Sequence, residues 1–203
     1  MNDKVKQESL TQRYQHLFVR SINLIVKPKK EWAVVLHEKN DSNAILSTFV
    51  LPYVFLATII TFVKYLVIYS NLEFGEAIKQ SLAIFSSLFF TYIIGYQILI
   101  RALPGFLNGK ISKSSLNRIS ASLIAYSSLC VFIYQVLILL MPDLSILAVI
   151  LLYSIYLIWI GLSEFDNFKQ KDFKVVVTII ISGIVLIMPF FLSKVIVQMS
   201  AGI

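Results

Sequence analysis

Cysteine is almost absent from this 203-residue chain: the one copy, Cys130, lies inside an apolar run, which excludes an intramolecular disulfide and a thiolate metal cluster. Histidine is nearly as scarce. His16 and His37 sit in separate polar stretches, and Glu31, Glu38 and Asp41 near them show no metal-ligand spacing. No HExxH, phosphate-loop or dinucleotide glycine pattern occurs, so no cofactor is expected and no catalytic residue is assigned. Ser122, Ser127 and Ser128 have no histidine or aspartate at their depth and read as packing residues whose hydroxyls bond to carbonyls one turn back. Charge is sparse too, at 14% of residues against about a quarter in soluble domains. Ion relays need titratable groups inside the bundle, and Lys64 is the only one within an apolar run, which argues against proton- or sodium-coupled transport. There is no internal repeat of the kind many transporters carry.

What the chain does have is apolar length. The hydrophobic set makes up 58% of residues and the mean hydropathy is +0.80. Between Arg118 and Glu164 the only charge is Asp143, dividing Ile119–Pro142 from Leu144–Ser163. Each half, if helical, is about 30–36 Å long and matches a hydrocarbon core of roughly 30 Å, so the pair reads as a transmembrane hairpin. Three further runs of the same kind leave no soluble core in which to hide them. The expectation is an all-α polytopic membrane protein, a five-helix transmembrane bundle with a short N-terminal amphipathic helical segment. Residues 1–41 form that segment and 42–203 the transmembrane domain, with spans at about 44–67, 80–100, 119–140, 144–162 and 175–193. The first apolar run follows about 40 polar residues, a pattern unlike a cleavable signal peptide.

Within the spans, Pro52 predicts a bend. Lys64 is expected to extend its ammonium outward or to pair with Glu73 or Glu76 across the loop Tyr69–Glu76. Leu103-Pro104-Gly105-Phe106 predicts the end of the second helix, and Ala121 and Ala125 a close helix crossing. Tyr92, Tyr96, Gln97, Tyr126, Tyr134 and Tyr153 are expected inside the bundle, where their polar ends avoid lipid. Trp159 fits an aromatic girdle.

Eighteen basic against eleven acidic residues give a net charge of +7. The basic residues lie at the ends of apolar runs, so they report orientation rather than nucleic-acid binding. Leu10, Tyr14, Leu17, Phe18, Ser21 and Ile25 recur at three- and four-residue intervals, the pattern of an amphipathic helix lying in the membrane interface or packed on the protein's own surface. Lys27, Pro28, Lys29, Lys30 and Trp32 follow as an interfacial element, with Pro28 in a first helical turn and Trp32 at the headgroup level. Arg101, Lys110, Lys113 and Arg118 form a basic loop without an acid. The positive-inside rule then places the N-terminus in the cytoplasm and the C-terminus outside.

Ile25-Val26-Lys27-Pro28-Lys29-Lys30-Glu31-Trp32 resembles a habit of the bacterial Yip1 family, a proline followed by a tryptophan just before a polar helix. Leu51-Pro52, Ala125-Tyr126-Ser127 and Ile160-Gly161-Leu162 are similar to that family as well. The resemblance runs from about Phe18 to Ile196. It departs where Ser128-Leu129 stands in place of the proline that often follows the third-span Tyr-Ser. It implies a cytoplasmic N-terminal segment, five spans, no catalytic set and a multi-pass protein of the bacterial inner membrane. Eukaryotic relatives are implicated in vesicle traffic and in binding prenylated GTPases, a role that no residue here can be assigned. The functional expectation is a non-enzymatic organiser or adaptor whose partners are the lipid bilayer, anionic headgroups, an unknown membrane protein or a second copy. The alternative is a transporter or channel subunit for a small neutral or lipid-like solute, which would bring the tyrosines and Gln97 together around one open cavity.

Overall fold

A computed structural model describes residues 10–38, 40–67, 74–109, 111–141, 145–165 and 168–200. Five helices among them are long and apolar enough to cross a membrane: Ser42–Val67, Phe74–Phe106, Lys113–Ile138, Ile146–Phe165 and Lys171–Met199. Two shorter helices precede them, α1 (Leu10–Val26) and α2 (Pro28–His37). The readings placed on Lys39, Glu73, Lys110, the 68–73 connection and the Pro142-Asp143 turn lie outside the described residues, as do the side chains of Leu10 and Tyr14.

The first span opens on α3 (Ser42–Ile45), where the Ala44 amide donates to Asp41 Oδ1 at 2.6 Å and caps the helix. A π-helical turn over Leu46–Val50 leads into α4 (Leu51–Val67). Its cause is Pro52, whose ring in a regular α-helix would collide with the carbonyl four residues back; the widened turn, with the Leu51 amide donating to the Leu46 carbonyl, avoids that contact.

The second span, α5 (Phe74–Phe106), is about 50 Å long at 1.5 Å per residue and so extends beyond the hydrocarbon at one or both ends. It runs through Pro104, where the sequence predicts a break. Leu103, fully buried, holds the last turn in place, and the chain reverses only after it, at Gly109 with φ of 70°. Arg101 therefore lies on a helix and not in a loop.

The third span is the centre of the molecule. It consists of α6 (Lys113–Ser127) and α7 (Leu129–Leu140), interrupted at Ser128, whose amide and hydroxyl both donate to the Ile124 carbonyl, at 3.1 and 2.7 Å. Every residue from Ile119 to Phe132 is buried. Small side chains on all sides, Ser120, Ala121, Ser122, Ala125, Ser127 and Ser128, let the neighbouring helices close around it. In its most apolar window 67% of residues are buried, against 28–39% in the other spans, whose remaining faces are left for lipid.

The fourth span is a 3-10 turn continued by α8 (Val149–Phe165), and the fifth is α9 (Lys171–Ser200). The second span packs chiefly on the first and fifth. At the end carrying α1 and α2, the two connections between spans are joined: Leu107 and Phe168 form an antiparallel bridge, and the Lys169 ammonium donates to the Gly105 carbonyl at 3.0 Å. Lys174 sits 3.8 Å from the centre of the Trp159 ring, so Trp159 meets a cation at its helix end. Glu76 pairs with Lys79 at 3.5 Å and not with Lys64.

Candidate functional site

The N-terminal helices are fixed to the bundle by one aromatic cluster and one charged network, and both begin on α2. Pro28 occupies its first turn. Trp32 and Val35 then fall on one face and are both buried, Trp32 completely. The Trp32 ring lies on α8 at Gly161, where a methyl group would meet Cε2 and Cζ2 of the indole at 2.8 Å; only a glycine permits that approach. Its other neighbour is Tyr126 of α6, edge-on at 5.9 Å between centroids, and Tyr126 in turn packs edge-on against Phe49 of the π turn at 4.6 Å. Tyr53, one turn beyond, stacks on Phe132 at 5.5 Å.

The sequence reading of Trp32 as a headgroup anchor is thus corrected. The ring is enclosed by protein, because Gly161 on a distant helix opens a slot for it. Three segments that carry the family resemblance, at Trp32, Tyr126 and Gly161, meet here, and Phe49 and Tyr53, on either side of Leu51-Pro52, join the same cluster.

Above the aromatic cluster, Arg20 of α1 reaches into the same junction and engages all three guanidinium nitrogens. Nε donates to Glu31 Oε1 at 3.1 Å, Nη2 to Glu38 Oε1, and Nη1 to the Tyr126 hydroxyl at 3.1 Å. The second oxygen of each carboxylate is occupied as well, Glu31 by Asn23 Nδ2 at 3.0 Å and Glu38 by Asn40 Nδ2 at 2.8 Å. Burial works against the Arg20 charge, but Tyr126 and Glu38 more than offset it and hold the guanidinium above its ordinary range. Arg118 closes the set from α6, donating to the Glu38 carbonyl at 2.8 Å. Ser21 and the Tyr53 hydroxyl are 2.5 Å apart, and the Tyr153 hydroxyl donates at 2.7 Å to the Ile25 carbonyl in the last turn of α1. A cleft of about 370 Å³ opens beside the network, lined by His16, Arg20, Asn23, Glu31, Glu38 and Thr48 among others. With each carboxylate oxygen engaged by an internal donor, this junction is a lock between elements.

The predicted site residues divide accordingly. Lys27, Lys29 and Lys30 are exposed, as are Arg101 and Lys113, whereas Arg118 is drawn into the lock. Tyr92 and Tyr126 are buried; Tyr96, Gln97, Tyr134 and Tyr153 are half-buried. They do not share one cavity. Tyr92 donates to the Ser42 carbonyl at 3.1 Å and stacks with Tyr96, while Tyr134 belongs to a second cleft, beyond the buried run Leu129–Phe132. Sequence reasoning missed Arg20, Glu31 and Glu38 as a group. The available signal was spacing: Glu31 and Val35 on α2 and Glu38 at its C-cap recur at the helical interval, two acids flanking a core position.

The other product of the lock is a face left uncovered. α1 turns Ser21 and Leu24 inward, both buried, while Phe18 and Val26 remain 64% and 65% exposed and Val19, Ile22 and Ile25 are exposed beside them. Of the two alternatives for this amphipathic helix, packing on the protein's own surface is realised on one face, and the other face is open.

No curated protein and no solved structure matches the chain. The Yip1 domain family model does match, over residues 22–192, a segment that takes in α2 with its tryptophan, all of the first four spans and most of the fifth. On that match, and with five membrane-crossing helices in place, the chain belongs to the Yip1 family of integral membrane proteins.

Proposed function

We propose that the protein is a non-enzymatic membrane organiser that works through the interfacial face of its locked N-terminal helices. The Yip1 family is not a known enzyme family. The observation that carries the reading is the open face of α1: Phe18, Ile22 and Ile25 at helical spacing, adjoining exposed Lys27, Lys29 and Lys30. An apolar stripe beside lysines is the composition of a helix lying at the headgroup boundary of an anionic leaflet. The lock supports it by fixing α1 to the bundle, so the stripe is presented at a set angle without a separate ordering cost. By the positive-inside rule this leaflet is the cytoplasmic one of a bacterial inner membrane, with the C-terminus on the far side. The buried residues from Leu129 to Phe132, between the junction and the second cleft, favour this reading over a solute conduit.

The test uses spin labels at Phe18→Cys and Ile22→Cys in full-length protein, with Cys130 buried and out of the way. In nanodiscs containing phosphatidylglycerol the labels should report collisions with membrane-soluble oxygen and shielding from an aqueous relaxant. Substituting Lys27, Lys29 and Lys30 together by glutamine should shift them toward water. Full aqueous exposure of both labels in correctly folded protein refutes lipid contact.

A further inference from the structure

We propose that the cleft at the opposite end of the bundle is a binding site for an anionic phospholipid, with Lys194 holding the phosphate. The cleft, about 460 Å³, is formed where one stripe from each of three helices converges: Ile84, Ser87 and Leu88 on α5, Tyr134, Gln135 and Ile138 on α7, and Phe190, Lys194 and Gln198 at four-residue spacing on α9. Its size falls within the roughly 300–1,000 Å³ typical of small-molecule sites.

Three features identify the occupant. Among the described residues Lys194 is the one charged side chain lining the cleft, so the described lining carries a positive charge and no carboxylate. Around it stand two glutamine amides, two serine hydroxyls and a tyrosine hydroxyl; Ser87 donates to the Ile84 carbonyl at 3.0 Å, whereas none of Tyr134, Gln135, Ser193, Lys194 or Gln198 forms a side-chain hydrogen bond or ion pair with another described residue. Gln135 and Tyr134 are half-buried in an otherwise apolar stretch, Leu129–Leu140, where an unsatisfied amide is costly. This donor set fits phosphate oxygens. The rest of the lining includes apolar Ile84, Leu88, Ile138 and Phe190, which suits an acyl chain beside the headgroup. The N-terminal junction differs, since each carboxylate oxygen of Glu31 and Glu38 there meets an internal donor.

The full-length protein in detergent is titrated with phosphatidylglycerol and separately with phosphatidylcholine, and bound lipid is counted by native mass spectrometry. Phosphatidylglycerol should be retained in preference. Lys194→Gln, at an exposed position that folding tolerates, should lower its retention about tenfold, the effect of one charge-assisted hydrogen bond, and erase the preference. Gln135→Leu should weaken retention without changing charge. K27Q/K29Q/K30Q should leave it intact, which separates this site from the interfacial face of α1. Equal retention of the two lipids by the unmodified protein, or an unchanged K194Q, overturns the proposal. So does saturable binding of inorganic phosphate that Lys194→Gln abolishes while lipid retention stays the same, because the site would then serve a free anion.

Discussion

The slot that receives Trp32 can be tested with one methyl group. Replacing Gly161 by alanine puts a carbon 2.8 Å from Cε2 and Cζ2 and 3.0 Å from Cδ2 of the indole. Carbon pairs settle at about 3.5–4.0 Å, so ring and helix must part by about 0.7 Å. The far edge of a flexible side chain could yield, but Trp32 is fully buried and held edge-on by Tyr126, so the strain falls on the contact between α2 and α8. Overpacking of this kind costs about 1–3 kcal/mol, while the helix itself favours alanine over glycine by about 1 kcal/mol. The expected net is a loss of up to about 2 kcal/mol, which for a chain of this size lowers Tm by up to about 8 °C.

Gly183 on α9 supplies the control, since nothing lies within 4 Å of its missing methyl group. Gly183→Ala should therefore gain up to about 1 kcal/mol, and the gap between the two alanine variants cancels the intrinsic helix contribution. Melting in detergent, followed by size-exclusion recovery of heated samples, measures both. In a Trp32→Leu background, itself destabilised by about 2–4 kcal/mol, Gly161→Ala should change sign and become neutral or stabilising. Equal shifts for the two glycines, or a G161A penalty that persists without the indole, would show that the tryptophan does not sit in the slot.

Two further outcomes follow from the same junction and from the charge distribution. Arg20→Gln leaves two carboxylates facing each other, one of them 10% exposed, and should destabilise by about 1–3 kcal/mol, less than a fully buried pair because Arg20 is itself 22% exposed; limited proteolysis should then cut α1 and α2 faster than the spans, with Arg20→Gln/Glu31→Gln recovering part of the loss, and an unchanged cleavage pattern would remove the lock. Accessibility tags at Asn71 and after Ile203 should both be reached from the side opposite Lys27, and tags found on opposite sides would break the five-span layout on which both lipid proposals depend.

The spans were legible because lipid makes a demand that sequence states outright, long uncharged runs closed by lysine, arginine and turn residues. Their ends were less so. The second helix carries Glu76, Lys79 and Arg101 within its ends and runs on through Pro104, because charges are tolerated once a helix leaves the hydrocarbon and a buried Leu103 outweighs the lost amide. Trp32 misled for a physical reason as well. A tryptophan beside lysines ahead of a span has the composition of a girdle residue, and what decides otherwise is Gly161, remote in sequence and silent about its partner. Arg20 was hidden in the same way, as a polar residue off the apolar stripe of α1 whose value depends on Glu31, Glu38 and Tyr126 arriving from other elements.

The two ends of the bundle differ in how they treat polar groups, and that difference separates structural chemistry from recognition. Near the N-terminal helices each carboxylate oxygen of Glu31 and Glu38 has a protein donor, and the guanidinium that joins them also seats on Tyr126, so removal of any one member exposes the rest. Folding alone accounts for that pairing, although Trp32 Nε1 and Arg118 Nε stay buried there without a partner among the described residues. At the far end Lys194, Gln135 and Gln198 line a cleft and form no side-chain hydrogen bond with a described residue, although replacing Gln135 by leucine would remove the desolvation cost on an otherwise apolar helix. An amide that no described residue engages is free to meet an acceptor from outside the chain. In a membrane, a phosphate at headgroup depth is the acceptor in continuous supply, so the unspent donors favour lipid over an empty pit.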